Sequence, residues 1–523
     1  MTTTLWRGGR VRSPADPFAT AMLTDGDTVV WVGSDQAAAA LTADVTVDLE
    51  DAWVAPAFVD AHVHATSTGL ALTGLDLTDA PSLAVALSRV EQAARRARGG
   101  VVLGTGWDDT RWPERRPPTA AELDRASYGG VVYLARTDVH SAVASSALLA
   151  AAPDARTSPG WAGDGLVRRD AHHVVRRAAY AAVTPGQRRA AQTATLTRAA
   201  ELGIGSVHEC GGPDIGGEDD FRELLALDHG VEVLGYWGEF DAVERARELG
   251  AVGAGGDLFA DGALGSHTAC LSTPYADEAT TGHAYLASDE VARHLVACTR
   301  AGLQAGFHAI GDAALGAVLD GVEQAAGLVG AEALRALRHR IEHAEMLDAG
   351  QIGRMAAYGL VASVQPAFDA RWGGPDGMYV ERLGPERARG MNPYAALAAA
   401  GVALALGSDA PVTPLDPWGT LRAALHHRTP GSGLSARAAF AAHTRGGWRA
   451  AGVDGCGELT PGAPATFAVW HVPGELVVQT PDARVAGWST DPRAGVAGLP
   501  DLDGPDPACR RTVVRGRTVH LSG

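Results

Sequence analysis

Nothing in the chain approaches the run of roughly 18 uncharged apolar residues that a membrane-spanning helix needs. The N-terminal stretch MTTTLWRGGRVRSPADP has basic residues but no continuous apolar segment behind them. It lacks the pattern of a secretory leader, and the expected location is the cytoplasm. Cysteine is sparse: Cys210, Cys270, Cys298, Cys456 and Cys509 are scattered, odd in number and without a CxxC pair, which argues against a disulfide framework and against a thiolate zinc site. Positive charge is also short, since 44 Lys+Arg against 61 Asp+Glu leave a formal charge of -17. Such a surface repels duplex phosphate and anionic lipid, so neither nucleic acid nor membrane is an expected partner. There is no Walker A sequence, Gly104-Thr105-Gly106 does not continue into a dinucleotide fingerprint, and no serine stands in a GxSxG elbow. Nucleotide-phosphate cradles and serine-nucleophile chemistry therefore drop out.

What is there is an ordinary globular composition, 46% apolar and 20% charged, far from that of a disordered chain. The length of 523 residues fits several ordinary domains or one large barrel carrying an insertion. Residues 1–55 and 456–523 hold short strand-like pieces, among them Thr28 to Val32 and Thr466 to Val472, broken by glycine, aspartate and proline turns. Between them, over 56–455, strand-length apolar runs alternate with helix-like segments. The runs are Phe58 to His64, Ile204 to Glu209, Val231 to Trp237, Asp257 to Asp261, Leu303 to His308, Arg338 to His343, Leu360 to Gln365 and Val402 to Asp409. Segments such as Asp312 to Gly327 and Asp348 to Tyr358 open on residues suited to cap a helix. Eight alternating units predict an α/β fold, a closed parallel (β/α)8 TIM barrel. The gap from His64 to Ile204 far exceeds a single helical crossover of about a dozen residues, so residues 66–183 read as an inserted subdomain.

In Asp60-Ala61-His62-Val63-His64 two imidazoles stand at i and i+2 of an apolar strand and project from one face toward the barrel axis. An isolated HxH is short and common, and two satisfied core histidines would explain it. Here it has company: His308 and His343 end the fifth and sixth runs, and Asp409 ends the eighth. A parallel barrel brings all strand carboxyl ends to one rim, where the functional residues of this fold gather. Four imidazoles and a carboxylate on that rim fit a borderline divalent metal, zinc first, with Mn, Fe, Co or Ni allowed by ligand type.

Pro56 to His64, the separated strand-end histidines and Gly407-Ser408-Asp409 resemble the amidohydrolase superfamily. The runs Phe259-Ala260-Asp261-Gly262-Ala263-Leu264-Gly265-Ser266, His308-Ala309-Ile310-Gly311-Asp312 and Arg340-Ile341-Glu342-His343-Ala344 are most similar to its branch of N-substituted formamide deformylases. The resemblance covers essentially the whole chain. It implies a metal-bearing (β/α)8 barrel, with the two termini together forming a β-sandwich. It also implies His62, His64, His308 and His343 as metal ligands and Asp409 as a metal-contacting general base. In many relatives a lysine two places before the Phe-Ala-Asp-Gly run is carboxylated and bridges two metals, whereas Asp257 stands there in this chain. Aspartate has the charge of that group without its length. Asp257 therefore bridges directly, ligates one ion or does neither, and of one or two ions, a single tightly held one is favoured.

The expected activity is hydrolysis of a non-peptide C–N bond in a small-molecule amide, formamide or N-acyl compound by a metal-activated hydroxide. Asp409 takes the proton from water and returns it to the leaving nitrogen, and His308 or His343, if not fully committed to metal, donates to the oxyanion. Cyclic-amide hydrolysis or heterocycle deamination is the rival within the enzymes, and a non-catalytic ligand-binding barrel is the rival outside them. Trp107 and His140 of the insertion are candidate substrate contacts, as are His208 and Asp261 near the rim. Structural roles are the alternative for each. A homodimer is the base-rate expectation for a soluble enzyme.

Overall fold

The computed structural model describes residues 2–136, 141–213, 215–479, 488–489 and 497–522, so His140 lies outside the described residues. The chain divides into two compact units, one of Met1–His64 with Leu196–Gly523 and the other of Ala65–Thr195.

The larger unit is built on eight parallel strands that pair in chain order: β1 (Phe58–Val63), β2 (Ile204–Gly211), β3 (Glu232–Trp237), β4 (Gly253–Ala254), β5 (Gln304–Ala309), β6 (Arg340–His343), β7 (Val361–Val364) and β8 (Ala403–Leu406). Just past the strand ends β8 meets β1, where Asp409 N–H donates to His62 O at 2.8 Å and His64 N–H to Ala410 O at 2.9 Å. The (β/α)8 barrel is thus the fold of this chain. Strands β1, β2, β5, β6 and β7 are buried along their whole lengths, as they must be between a filled interior and a layer of helices. Asp348 caps helix Ala349–Tyr358 by accepting from Gln351 N–H, and the Gln351 side chain answers from the third position.

The fourth strand departs from expectation. The run Asp257 to Asp261 is not the strand; β4 lies ahead of it and is cut short by Gly255 and Gly256, at φ +156° and +80°. Pairing with β5 resumes at Phe259, opposite His308. From the Ala254–Ala305 pair to the Phe259–His308 pair the chain advances five residues against three on its partner. Asp257 therefore sits in a two-residue bulge, a device that re-aims side chains.

The two chain ends also belong to this unit. Strand Trp53–Pro56 pairs antiparallel with Phe467–His471, which pairs with Ala508–Val514. A second sheet of Thr3–Arg7, Ala21–Asp25, Thr28–Gly33 and Val45–Asp48 shares with it a core that includes Trp6, Met22, Val54, Phe467 and Val513. Phe58 of β1 packs edge-on against Trp418 and Trp470, with ring centroids 5.2 and 5.8 Å apart, and so ties these ends to the barrel.

The smaller unit holds a five-stranded sheet of Leu75–Asp76, Val102–Trp107, Val132–Arg136, Ser141–Ala144 and Leu166–Arg168, and it runs past residue 183 to Thr195. Trp107 is a correction to the sequence reading. It is 1% exposed within that unit's own core, and its indole N–H donates to Leu134 O at 2.8 Å, leaving no face for a substrate. Among the described residues no helix is long and apolar enough to cross a membrane.

Burial beneath the barrel also sets a pH dependence. His443 is wholly buried, its Nδ1–H donates to Val59 O, and burial lowers its pKa from 6.5 to about 4. Below pH 6.5 the unfolded chain takes up a proton that the native site refuses, so stability falls with pH until the folded value is passed. The slope is ~1.4 kcal/mol per pH unit for one site. Asp60, pushed up to about 6 mainly by burial, works in the opposite direction, so the test is a difference. Between pH 6.5 and 5 the parent should lose about 2 kcal/mol more than His443→Gln in urea unfolding. Equal losses in the two proteins would remove His443 as the cause.

Candidate metal centre

His62 and His64 leave β1 on one face, His308 comes from β5, His343 ends β6, and Asp409 follows β8. Asp257 enters from the bulge after β4. The structure brings these six side chains together. His62 Nε2 lies 3.5 Å from Asp257 Oδ2 and 3.6 Å from Asp409 Oδ1, and His64 Nε2 lies 3.2 Å from each of the same oxygens. His308 Nδ1 is 3.4 Å and His343 Nε2 3.8 Å from Asp257 Oδ1. A tetrahedral cation with bonds of ~2.1 Å has ligand–ligand edges of ~3.4 Å, so these separations are those of donors around an ion.

The outer nitrogens decide which ring atoms face inward. His62 Nδ1 meets Glu342 Oε2 at 3.0 Å, His64 Nδ1 meets Cys210 O at 3.1 Å, His308 Nε2 meets Gly262 O at 3.3 Å and His343 Nδ1 meets Gln365 Oε1 at 2.8 Å. Each partner is an acceptor, so each outer nitrogen carries the hydrogen and each inner nitrogen presents a lone pair. Four lone pairs and two carboxylates converge in a buried space. His62 Nε2, His308 Nδ1, Asp257 Oδ1 and Asp409 Oδ1 are buried without a hydrogen-bond partner. Such groups are costly unless a cation satisfies them, and the donor set fits a divalent metal. With their N–H groups committed outward, His308 and His343 have none to offer an oxyanion, so that expected role falls away.

The electrostatics agree with that fit. Burial opposes a charge on His64, yet Asp257 and Asp409 hold it well above its ordinary range, and Cys210, Asp257 and Asp409 do the same for His62. Burial would raise Asp257, but His62 and His308 hold it well below the usual carboxylate range. The pocket calls for positive charge. Asp409 and His343 also take left-handed backbone, at φ 53° and 68°, costing of order 1 kcal/mol or more each. Asp409 is held there by its own N–H bond to His62 O, while Asp60 Oδ1 accepts from the preceding Ser408 N–H at 2.8 Å.

A charged layer underlies the centre and escaped the sequence reading. Arg340 is fully buried and donates to Glu342 Oε1 at 2.8 Å, to Glu342 Oε2 at 3.0 Å and to Ala61 O at 2.8 Å. Its guanidinium lies 4.3 Å from the Tyr236 ring centroid. Burial alone would raise Glu342, but Arg340 holds it at about 2. That carboxylate fixes the His62 tautomer. His208, a candidate substrate contact, is instead wholly buried with Nδ1 accepting from Arg340 at 2.9 Å, and burial and Arg340 keep it well below its ordinary pKa. Asp261 is likewise wholly buried and accepts from the backbone N–H groups of Cys270, Ile310 and Gly311. It fastens the loops after β4 and β5 and does not face a substrate. Glu342→Gln keeps the shape but weakens the acceptor, and metal affinity should fall about 10- to 100-fold, measured with a competing chelator. Unchanged affinity would exclude Glu342 as the group that orients His62.

The amidohydrolase family model matches residues 45–520. Protein LONG AFTER FAR-RED 3 of Arabidopsis thaliana is 29% identical over 500 residues, covering 87% of this chain and 84% of its own. N-substituted formamide deformylase of Arthrobacter pascens is 25% identical over 441 residues, covering 76% of this chain and 78% of its own. A structure of an uncharacterized metal-dependent hydrolase from Pyrococcus furiosus superposes with a TM-score of 0.77 at 26% identity, covering 89% of this chain and 98% of that one. At 25% identity the deformylase is a distant relative, and the likeness does not set its branch apart.

Proposed function

Because the chain belongs to the amidohydrolase family, we propose that it is a metal-dependent hydrolase that cleaves a non-peptide C–N bond in a small acyclic amide, such as an N-substituted formamide or N-acyl compound. One observation carries this reading: four imidazole lone pairs and the carboxylates of Asp257 and Asp409 line one buried pocket, each outer ring nitrogen held by an acceptor. His62, His64, His308, His343, Asp257 and Asp409 would hold the metal. When bound, a divalent cation lowers the pKa of water toward neutrality and polarises a carbonyl.

The chain's own part is to position and to move a proton. Asp409 stays a carboxylate because His62 and His64 outweigh the effect of burial. Its Oδ1 is therefore able to accept the proton released as water attacks the carbonyl carbon. The protonated acid then gives that proton to the nitrogen as the C–N bond breaks, which yields a carboxylic acid and an amine and restores the carboxylate. Glu342 and the carbonyls of Cys210 and Gly262 keep the histidine rings from turning. The likeness to a formamide deformylase supports an acyclic amide as the substrate.

The deciding experiment is a panel of N-substituted formamides, N-acyl amines, hydantoins and aminated heterocycles, assayed with the metal-loaded protein, after chelation and after metal is restored. Turnover of an acyclic amide that is lost on chelation and regained on reloading is expected. Deamination alone would replace this substrate class, and turnover indifferent to chelation would remove the metal from the reaction.

A further inference from the structure

Gln365 ends the seventh apolar run, the place that His308, His343 and Asp409 hold in theirs. It follows β7 directly, and the alternation of that strand turns it to the face of Ser363, whose Oγ accepts from Arg340 inside the barrel at 3.0 Å. The side chain is 1% exposed, and its Oε1 accepts from His343 Nδ1 at 2.8 Å. A histidine that presents its Nε2 lone pair to a cation carries its hydrogen on Nδ1, so the amide oxygen, and not the amide nitrogen, has to meet it. That bond decides which way the amide is turned. Gln365 Nε2 is left buried with no hydrogen-bond partner among the described residues.

The backbone on either side of the amide is fixed. Pro366 opens the helix Pro366–Trp372 immediately behind it, and the Gln365 carbonyl accepts from Phe368 N–H at 2.9 Å and from the Tyr394 hydroxyl at 3.3 Å. Phe368, on the first turn of that helix, stacks on the His343 ring, with centroids 5.8 Å apart and planes 12° apart. Ring and amide are thus held from one turn of chain. A glutamate would keep the bond to His343 without burying an unused donor, so what an amide adds at this position is the N–H itself. Of the buried side-chain donors that lack a partner among the described residues, Gln365 Nε2 is the one whose side chain is bonded to a histidine of the centre.

We propose that Gln365 is a further catalytic residue, whose Nε2–H donates to the carbonyl oxygen of the amide substrate and stabilises the negative charge that gathers there as water attacks. The inference rests on the hydrolase reading above, and it supplies the donor that His308 and His343, with their N–H groups turned outward, do not. No proton leaves the glutamine. Its hydrogen bond strengthens as the C=O bond opens to C–O⁻ and weakens as that bond re-forms with loss of the amine, while the proton of water passes through Asp409 to nitrogen. The two ends of one amide have separate duties: Oε1 orients His343, and Nε2 meets the substrate. Substitution can therefore separate them.

The test compares the metal-loaded parent with Gln365→Glu, which keeps an acceptor for His343 Nδ1 and removes the donor, on the best acyclic amide of the panel and on its thioamide. Metal content, circular dichroism and unfolding midpoint are measured alongside. On the amide, kcat should fall about 10²- to 10³-fold with KM little changed, the loss typical of one oxyanion donor, while the metal is retained. On the thioamide the loss should be much smaller, because sulfur is a weak acceptor and gains little from the N–H in the parent. Gln365→Met, uncharged and of similar length, should show the same preference for oxygen together with weaker metal binding, and it carries the comparison if a buried carboxylate unfolds the chain. A kcat on the amide within tenfold of the parent, equal losses on amide and thioamide, or metal lost in proportion to activity in Gln365→Glu would overturn the donor and leave a metal-dependent hydrolase standing. Absence of amide turnover in the parent would overturn both.

Discussion

Asparagine at position 409 should lower kcat/KM by about 10³-fold or more while the protein keeps its metal, since a positioned general base contributes typically 10²- to 10⁴-fold and in the proposed reaction the same group also serves as the acid. The substitution is nearly isosteric and leaves the backbone bond from residue 409 to His62 O, at 2.8 Å, untouched. One side-chain oxygen remains to face His62 and His64, so metal affinity falls much less than activity. What disappears is the capacity to take a proton. Parent Asp409 is held as a carboxylate against the pull of burial by His62 and His64, whereas an amide neither accepts the proton of water nor returns one to nitrogen. The measurement pairs kcat/KM on the best amide of the panel with metal content by elemental analysis. Activity within tenfold of the parent would remove Asp409 as the base, and metal lost in proportion to activity would reduce it to a ligand.

The barrel and most of the centre were legible because they rest on short-range rules. The period of two placed His62 and His64 on one strand face, and strand-end position gathered His308, His343 and Asp409 on one rim. The same period applies to Arg340 and Glu342, at i and i+2 of β6, and it would have put both on one face; what the sequence does not carry is the partner on another strand, His62, that gives the pair its purpose. Asp261 and His208 were misread for the same reason. Their partners, the N–H groups of Cys270, Ile310 and Gly311 and the guanidinium of Arg340, are brought near only by closure of the barrel. Trp107 shows the limit of composition, because an indole in an irregular, arginine-rich stretch reads equally as pocket or as core, and the Leu134 carbonyl settled it as core. The fourth strand failed at a local detail. The sequence places the run on Asp257 to Asp261, but the strand is Gly253–Ala254, and two glycines with positive φ, Gly255 and Gly256, turn the chain out of the ladder before that run begins.

Arg340→Met is the substitution expected to cost the most stability. It leaves the Glu342 carboxylate fully buried beside the barrel axis without its counter-charge, and breaking one side of a buried ion pair costs about 3–5 kcal/mol. The loss has several routes: Ala61 O loses a donor, Tyr236 loses the cation over its ring, and His208 Nδ1 loses the N–H that donates to it. Glu342, held at about 2 by Arg340, is then governed by burial and drawn toward its protonated form, a poorer acceptor for His62 Nδ1–H. Metal affinity should therefore fall together with stability. Arg340→Met combined with Glu342→Gln removes both charges and should regain a large part of the stability but not the metal affinity, because the orienting carboxylate is still absent. Urea unfolding of the metal-free proteins and chelator competition on the loaded ones separate the two effects. A single-variant cost below about 1 kcal/mol, the range of exposed pairs, would mean the layer is solvated. A double variant no more stable than the single would mean that the unpaired carboxylate is not the source of the loss.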